Sequence, residues 1–143
     1  MKKVSLFLIA TSFVFFSCSK GGDSPTPTPP TPTPPTPTES PIAFTVNVDP
    51  GAGNILGVVG SSQAIVVKVS SAIPSAGVTI GVTVIKDADN SSVFNVSNSS
   101  ATADNTVSIT GLTPGVLCTA NVVVTSKSTA TNTKAVSFKL AAK

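Results

Sequence analysis

The sequence predicts an all-β fold, a sandwich of seven or eight strands over residues 41–143. Two observations carry this. From Pro41 onward the apolar residues recur with a period of two, the alternation of half-buried strands, and no stretch shows a helical period. The apolar runs are also short, rich in Val and Thr, and divided at steady intervals by turn residues.

Taken in order, Ile42, Phe44, Val46 and Val48 alternate with Ala43, Thr45 and Asn47 in a first strand that Asp49, Pro50 and Gly51 end. The glycine-rich stretch that follows carries Ile55, Leu56, Val58 and Val59, too many apolar residues for a bare loop. A short strand near 55–59, crossing between the sheets, is expected there. Residues 64–69 form a strand apolar on nearly both faces, with Lys68 the exception. After a connection over 70–77, Val78, Ile80, Val82 and Val84 alternate with Thr79, Gly81 and Thr83 in the clearest strand of the chain. A polar turn (86–92), a short edge strand (93–96) and a polar loop (97–105) come next. Val107 and Ile109 mark another strand, 111–115 a turn, and 117–125 the longest strand. A Ser/Thr/Asn-rich hairpin loop (126–133) leads to a closing strand, 135–140, with Val136, Phe138 and Leu140 on one face. Phe44, Phe94 and Phe138 are the only aromatic residues in this part, so its core is aliphatic.

Within this pattern, Ile109-Thr110-Gly111-Leu112-Thr113-Pro114-Gly115 and the alternating Cys118, Ala120, Val122 and Val124 resemble fibronectin type III domains, in about 30 residues of the C-terminal half. In that family a Leu-x-Pro turn leads into the penultimate strand, and a Tyr follows the Pro by four residues. Cys118 stands at that position here, and the family's early-strand Trp has no counterpart because the chain has no Trp. The resemblance implies a single immunoglobulin-like antiparallel β-sandwich.

The N-terminal residues belong to a different class. Lys2 and Lys3 precede an apolar run over 4–16, shorter than the roughly 20 residues of a membrane-spanning helix, and small Ser17 leads to Cys18. This is the layout of a signal peptide, residues 1–17. Phe15-Phe16-Ser17-Cys18 resembles the lipobox of bacterial lipoproteins, with Phe15 where Leu is usual. The resemblance implies that Cys18 becomes the first mature residue, carrying a diacylglyceryl thioether and an acylated amine, typically palmitate. Two or more acyl chains anchor stably where one does not. Ser19 in place of Asp implies, within that family, sorting to the outer membrane. Either face stays open there, with the cell surface preferred.

Residues 18–40 then form a linker. From 25 to 38 Pro and Thr alternate, with Pro pairs at 29–30 and 34–35. Proline fixes φ and restricts the residue before it, so a disordered chain biased to polyproline II is expected. Fourteen such residues reach about 43 Å, close to the thickness of a bilayer with its headgroups. The plain reading is a spacer. A docking motif for a proline-binding domain or a glycosylated stalk are the sharper ones.

Composition closes several classes. The formal charge of +3 falls to +1 once Lys2 and Lys3 leave, because seven Lys then face six acids, and Arg is absent. A nucleic-acid partner is not expected from such a chain. With Cys18 lipidated, Cys118 has no disulfide partner. With no His in the chain it also lacks the usual base of a cysteine nucleophile, and it reads as a small buried hydrophobe. Gly51, Gly53, Gly57 and Gly60 lack phosphate-loop spacing and precede no helix. Asn90, Asn95 and Asn98 match a eukaryotic glycan-acceptor pattern that is idle in a bacterial lipoprotein. Asp87, Asp89 and Asn90, with Asp49 expected at the same end of the sandwich, are the candidate oxygen ligands for a cation. The only Glu is Glu39, in the linker, so the set is incomplete and the acids read as turn residues. No metal and no cofactor are expected.

The functional expectation is a non-catalytic module for protein interaction or adhesion, tethered to the membrane through the lipid on Cys18. Loops 49–62, 86–92 and 110–116, expected at the end far from the tether, are its candidate binding face. The alternative is a carbohydrate-binding accessory lipoprotein of a polysaccharide-uptake system. Absence of Trp and Tyr ranks glycan binding second, since sugar rings stack on exposed aromatic faces. An enzyme working through Asp and Lys alone ranks third.

Overall fold

The computed structural model describes residues 39–143. The signal peptide, Cys18 and the Pro/Thr stretch lie outside the described residues. Eight strands make up the fold, and there is no helix among the described residues. They are β1 (Phe44–Val46), β2 (Ile55–Val58), β3 (Gln63–Val69), β4 (Val78–Lys86), β5 (Ser92–Ser100), β6 (Asp104–Ile109), β7 (Leu117–Ser126) and β8 (Thr133–Ala142).

They form two sheets, a three-stranded one ordered β1-β3-β6 and a five-stranded one ordered β2-β8-β7-β4-β5. This is a two-sheet β-sandwich whose opening segment serves both sheets in turn. β1 pairs with β3, and the chain then crosses to place β2 beside β8, as the apolar residues of 55–59 led one to expect. Pairing is antiparallel except at β2 and β8, which run parallel, Ile55 beside Lys139 through Val58 beside Ala142.

Alternation sets the core. Along β4, Val78, Ile80, Val82 and Val84 are buried, and along β7, Cys118, Ala120, Val122, Val124 and Ser126 are. Ile65, Val67 and Val69 of β3 face them from the smaller sheet, and Phe44 and Phe138 are buried in the same core. One methylene of such burial is worth about 0.8 kcal/mol, so a largely aliphatic core suffices for a domain of this size.

β5 is longer than its apolar residues suggest. The edge strand expected over 93–96 runs nine residues, and the polar run 97–100, expected as loop, continues the ladder by pairing with Gly81, Ile80, Thr79 and Val78. Strand pairing here is set by the backbone of β4, already fixed by β7 on its other side, and not by the side chains of Ser97, Asn98, Ser99 and Ser100. β8 likewise extends two residues beyond Leu140, to Ala142.

The chain enters at one end. Asn132, in the β7–β8 loop, accepts a hydrogen bond from the Ile42 amide at 2.9 Å. It donates to the Ser40 carbonyl at 2.9 Å and to Glu39 Oε2 at 3.1 Å. The last two residues of the linker span are thus already held against the sandwich.

Candidate functional site at the loop end

The opposite end gathers three loops and the C-terminal residues. The Leu112 amide donates to the Ser61 carbonyl at 3.0 Å, and the Asp87 amide to the Leu117 carbonyl at 3.0 Å. Gly115 and Lys143 donate to the carbonyls of Ala142 and Val58 at 2.9 and 2.8 Å. Leu112 is buried as the plug of the core at this end. Gly111 and Gly115, both at positive φ, let the chain turn on either side of it.

Of the loops expected at this end, 86–92 and 110–116 are here, and of 49–62 only the part after β2 is. Residues 51–54 instead border a cleft of about 120 Å³ part-way down the sheet, with Thr119, Ser137, Phe138 and Lys139. The reason is the crossing itself. β2 starts level with Lys139 of β8, so the chain changes sheets before it reaches the end.

Three apolar side chains stand exposed near this end, Val59 at 91%, Ile55 at 55% and Leu117 at 37%. Gly57, Ala141 and Leu117 are register partners across β2, β8 and β7, so they share the outer face with Ile55. Beside them lies the one ion pair among the described residues. Lys139 Nζ reaches Asp87 Oδ2 at 2.6 Å and Thr119 Oγ1 at 2.7 Å, while the Thr119 hydroxyl donates to Asp87 Oδ1 at 2.6 Å. The Lys139 and Thr119 hydrogen bonds hold the Asp87 carboxyl below the usual carboxylate range.

The three acids among the candidate cation ligands, Asp49, Asp87 and Asp89, are not brought to one point. Asp49 accepts from the Gly51 amide and Asp89 from the Ser91 amide, each at 2.9 Å within its own turn, and Asp87 is engaged by Lys139. Among the described residues no three of His, Cys, Asp and Glu cluster as a metal shell would. Cys118 is buried in β7, and burial, then the charge of Asp87, pushes its thiol up, away from the thiolate.

Nothing in the local sequence pattern singles out Lys139. The signal for it is the β7–β8 hairpin: once Thr125 faces Thr133, counting back along both strands sets Thr119 opposite Lys139. No protein-family model matches this chain, and a search of curated proteins finds no match.

Proposed function

We propose that this protein is a non-catalytic envelope lipoprotein, anchored to the outer membrane by acyl chains on Cys18, whose sandwich docks a protein partner at its loop end. The observation that carries the reading is the exposure of Val59, Ile55 and Leu117 near the end opposite the Asn132 latch, where the chain enters. Exposed apolar side chains gathered at one place are a feature of docking surfaces. The signal and lipobox residues support the anchor. The non-catalytic part is supported by the two groups best suited to chemistry, Cys118 and Asp87, being respectively buried and engaged by Lys139.

The test is crosslinking of the full chain on intact cells, followed by its purification. A Val59→Ser/Leu117→Ser double variant is expected to recover at least about tenfold less of the specific partner, as loss of two apolar anchors implies. Undiminished recovery overturns the docking end. Specific retention of the parent chain on a polysaccharide gel favours the glycan reading instead.

A further inference from the structure

The outer strand of the five-stranded sheet, β5, pairs with β4 on one side and with no strand among the described residues on the other. An open edge presents unpaired amides and carbonyls to any other strand. Proteins usually shield it with Lys, Pro, brevity or a bulge. The nine residues of β5 include no charge and no proline, and the single register shift, between Val84 and Ile85 of its partner, leaves 94–100 regular. The other edges are shorter: β1 has three residues, β2 four and β6 six.

A second observation concerns the inner face of this strand. Phe94, Val96 and Asn98 lie in register with Val84, Val82 and Ile80, which are buried, yet Phe94 and Val96 are only half-buried and Asn98 is exposed. The smaller sheet has three strands against five, and the exposure of these residues shows that it does not fully cover β5. Apolar surface is therefore left uncovered beside an open edge.

We propose that β5 is the interface of a symmetric dimer, in which two copies pair antiparallel about a two-fold axis at Val96 and join their larger sheets into one continuous sheet. Charge and pattern select a second copy as the occupant. With no ionised side chain, β5 meets itself without like-charge repulsion in any register. About Val96 the inner face is symmetric: Val96 faces its own copy, and each Phe94 lies opposite the other copy's Asn98 and diagonal to its Val96, so that Val96 and the two Phe94 rings form an apolar strip across the joint. On the outer face Asn95 sits opposite Ser97, two uncharged hydrogen-bonding side chains. The chain's own N-terminal stretch is a poor occupant. Eight of the fourteen residues over 25–38 are proline, which has no N–H to give an edge.

The register gives a specific test on the full chain in cells. Under mild oxidation Val96→Cys is expected to form a disulfide-linked dimer, because opposed residues of antiparallel strands lie within disulfide reach. Asn95→Cys and Ser97→Cys are each expected to give little alone and to crosslink to one another when co-expressed. Asn95→Lys/Ser97→Lys, both at exposed positions, sets Lys against Lys across the axis. It is expected to halve the protein mass found by ultracentrifugation in detergent while the circular-dichroism spectrum of the sheet persists. A parent chain that sediments as a monomer overturns the proposal. So does Val96→Cys linking only to a different protein, and so does Asn95→Cys alone crosslinking as readily as Val96→Cys.

Discussion

Asp87 is where chemistry and stability meet at the scale of single residues. Its carboxyl is held below its ordinary value by the Lys139 and Thr119 hydrogen bonds, so the folded state favours the ionised form. The sign follows: the contribution is present above the ordinary carboxylate value near about pH 4 and is lost as pH falls through the depressed folded value. Urea unfolding of the parent and of Asp87→Asn is expected to differ at pH 7, with the parent the more stable, and to converge toward pH 3. A gap that stays constant across that range rules out the ionised pair as its source. Cys118 shows how much of such a site was legible beforehand. Its place in an alternating run and the lack of His already read as a buried hydrophobe, and it is 1% exposed. The Lys139 partnership is not legible in the same way, because the two residues lie 52 positions apart and meet only through the β4–β7 and β7–β8 registers together.

Among the strands and their connections, glycine conformation separates turns that need only freedom from turns that also need space. Gly77 and Gly53 both have positive φ, at 81° and 80°. A Cβ on Gly53 meets nothing nearby, whereas one on Gly77 runs into the Ser100 carbonyl oxygen where β5 ends. Gly53→Ala is expected to cost about 1 kcal/mol, the ordinary penalty of a left-handed conformation. Gly77→Ala is expected to cost on the order of 3 kcal/mol, since backbone must move as well. Equal midpoints for the two variants in urea would contradict the contact. The strands themselves are largely legible, since period two marks β1, β4 and β7 by their apolar residues and a short continuous apolar run marks β3. β5 was read too short because its second half has no apolar alternation. That half is a strand only because β4 offers it a ladder.

For the molecule as a whole, the anchor and the sheet-built body make separable predictions. If acyl chains on Cys18 hold the protein to the membrane, the parent partitions into the detergent phase of a two-phase extraction. Cys18→Ser is then expected to shift most of the protein to the aqueous phase or leave it with its signal peptide uncleaved, with the sandwich unchanged by circular dichroism. A Cys18→Ser chain that is processed and still partitions into detergent excludes the lipid. The body has its entry latch and its loop end at opposite ends of the sandwich, because the Asn132 loop closes one end of β7 and β8 while Leu117 and Ala141 pair at the other.

The sequence by itself determined that this is a two-sheet β protein with an aliphatic core, because side-chain alternation is a local property that every strand with one buried face must show. It also determined which residues are candidates for an anchor and that the chain has no His, Arg, Trp or Tyr, since residue types are counted without a fold. Only the tertiary structure decided that β2 runs parallel to β8, that the chain changes sheets level with Lys139, that Asp87 pairs with Lys139 across β7, and that β5 has an open edge with its apolar inner residues partly exposed. Each of these is a relation between segments far apart in the chain. Register and sheet order fix such relations, and no local pattern encodes them.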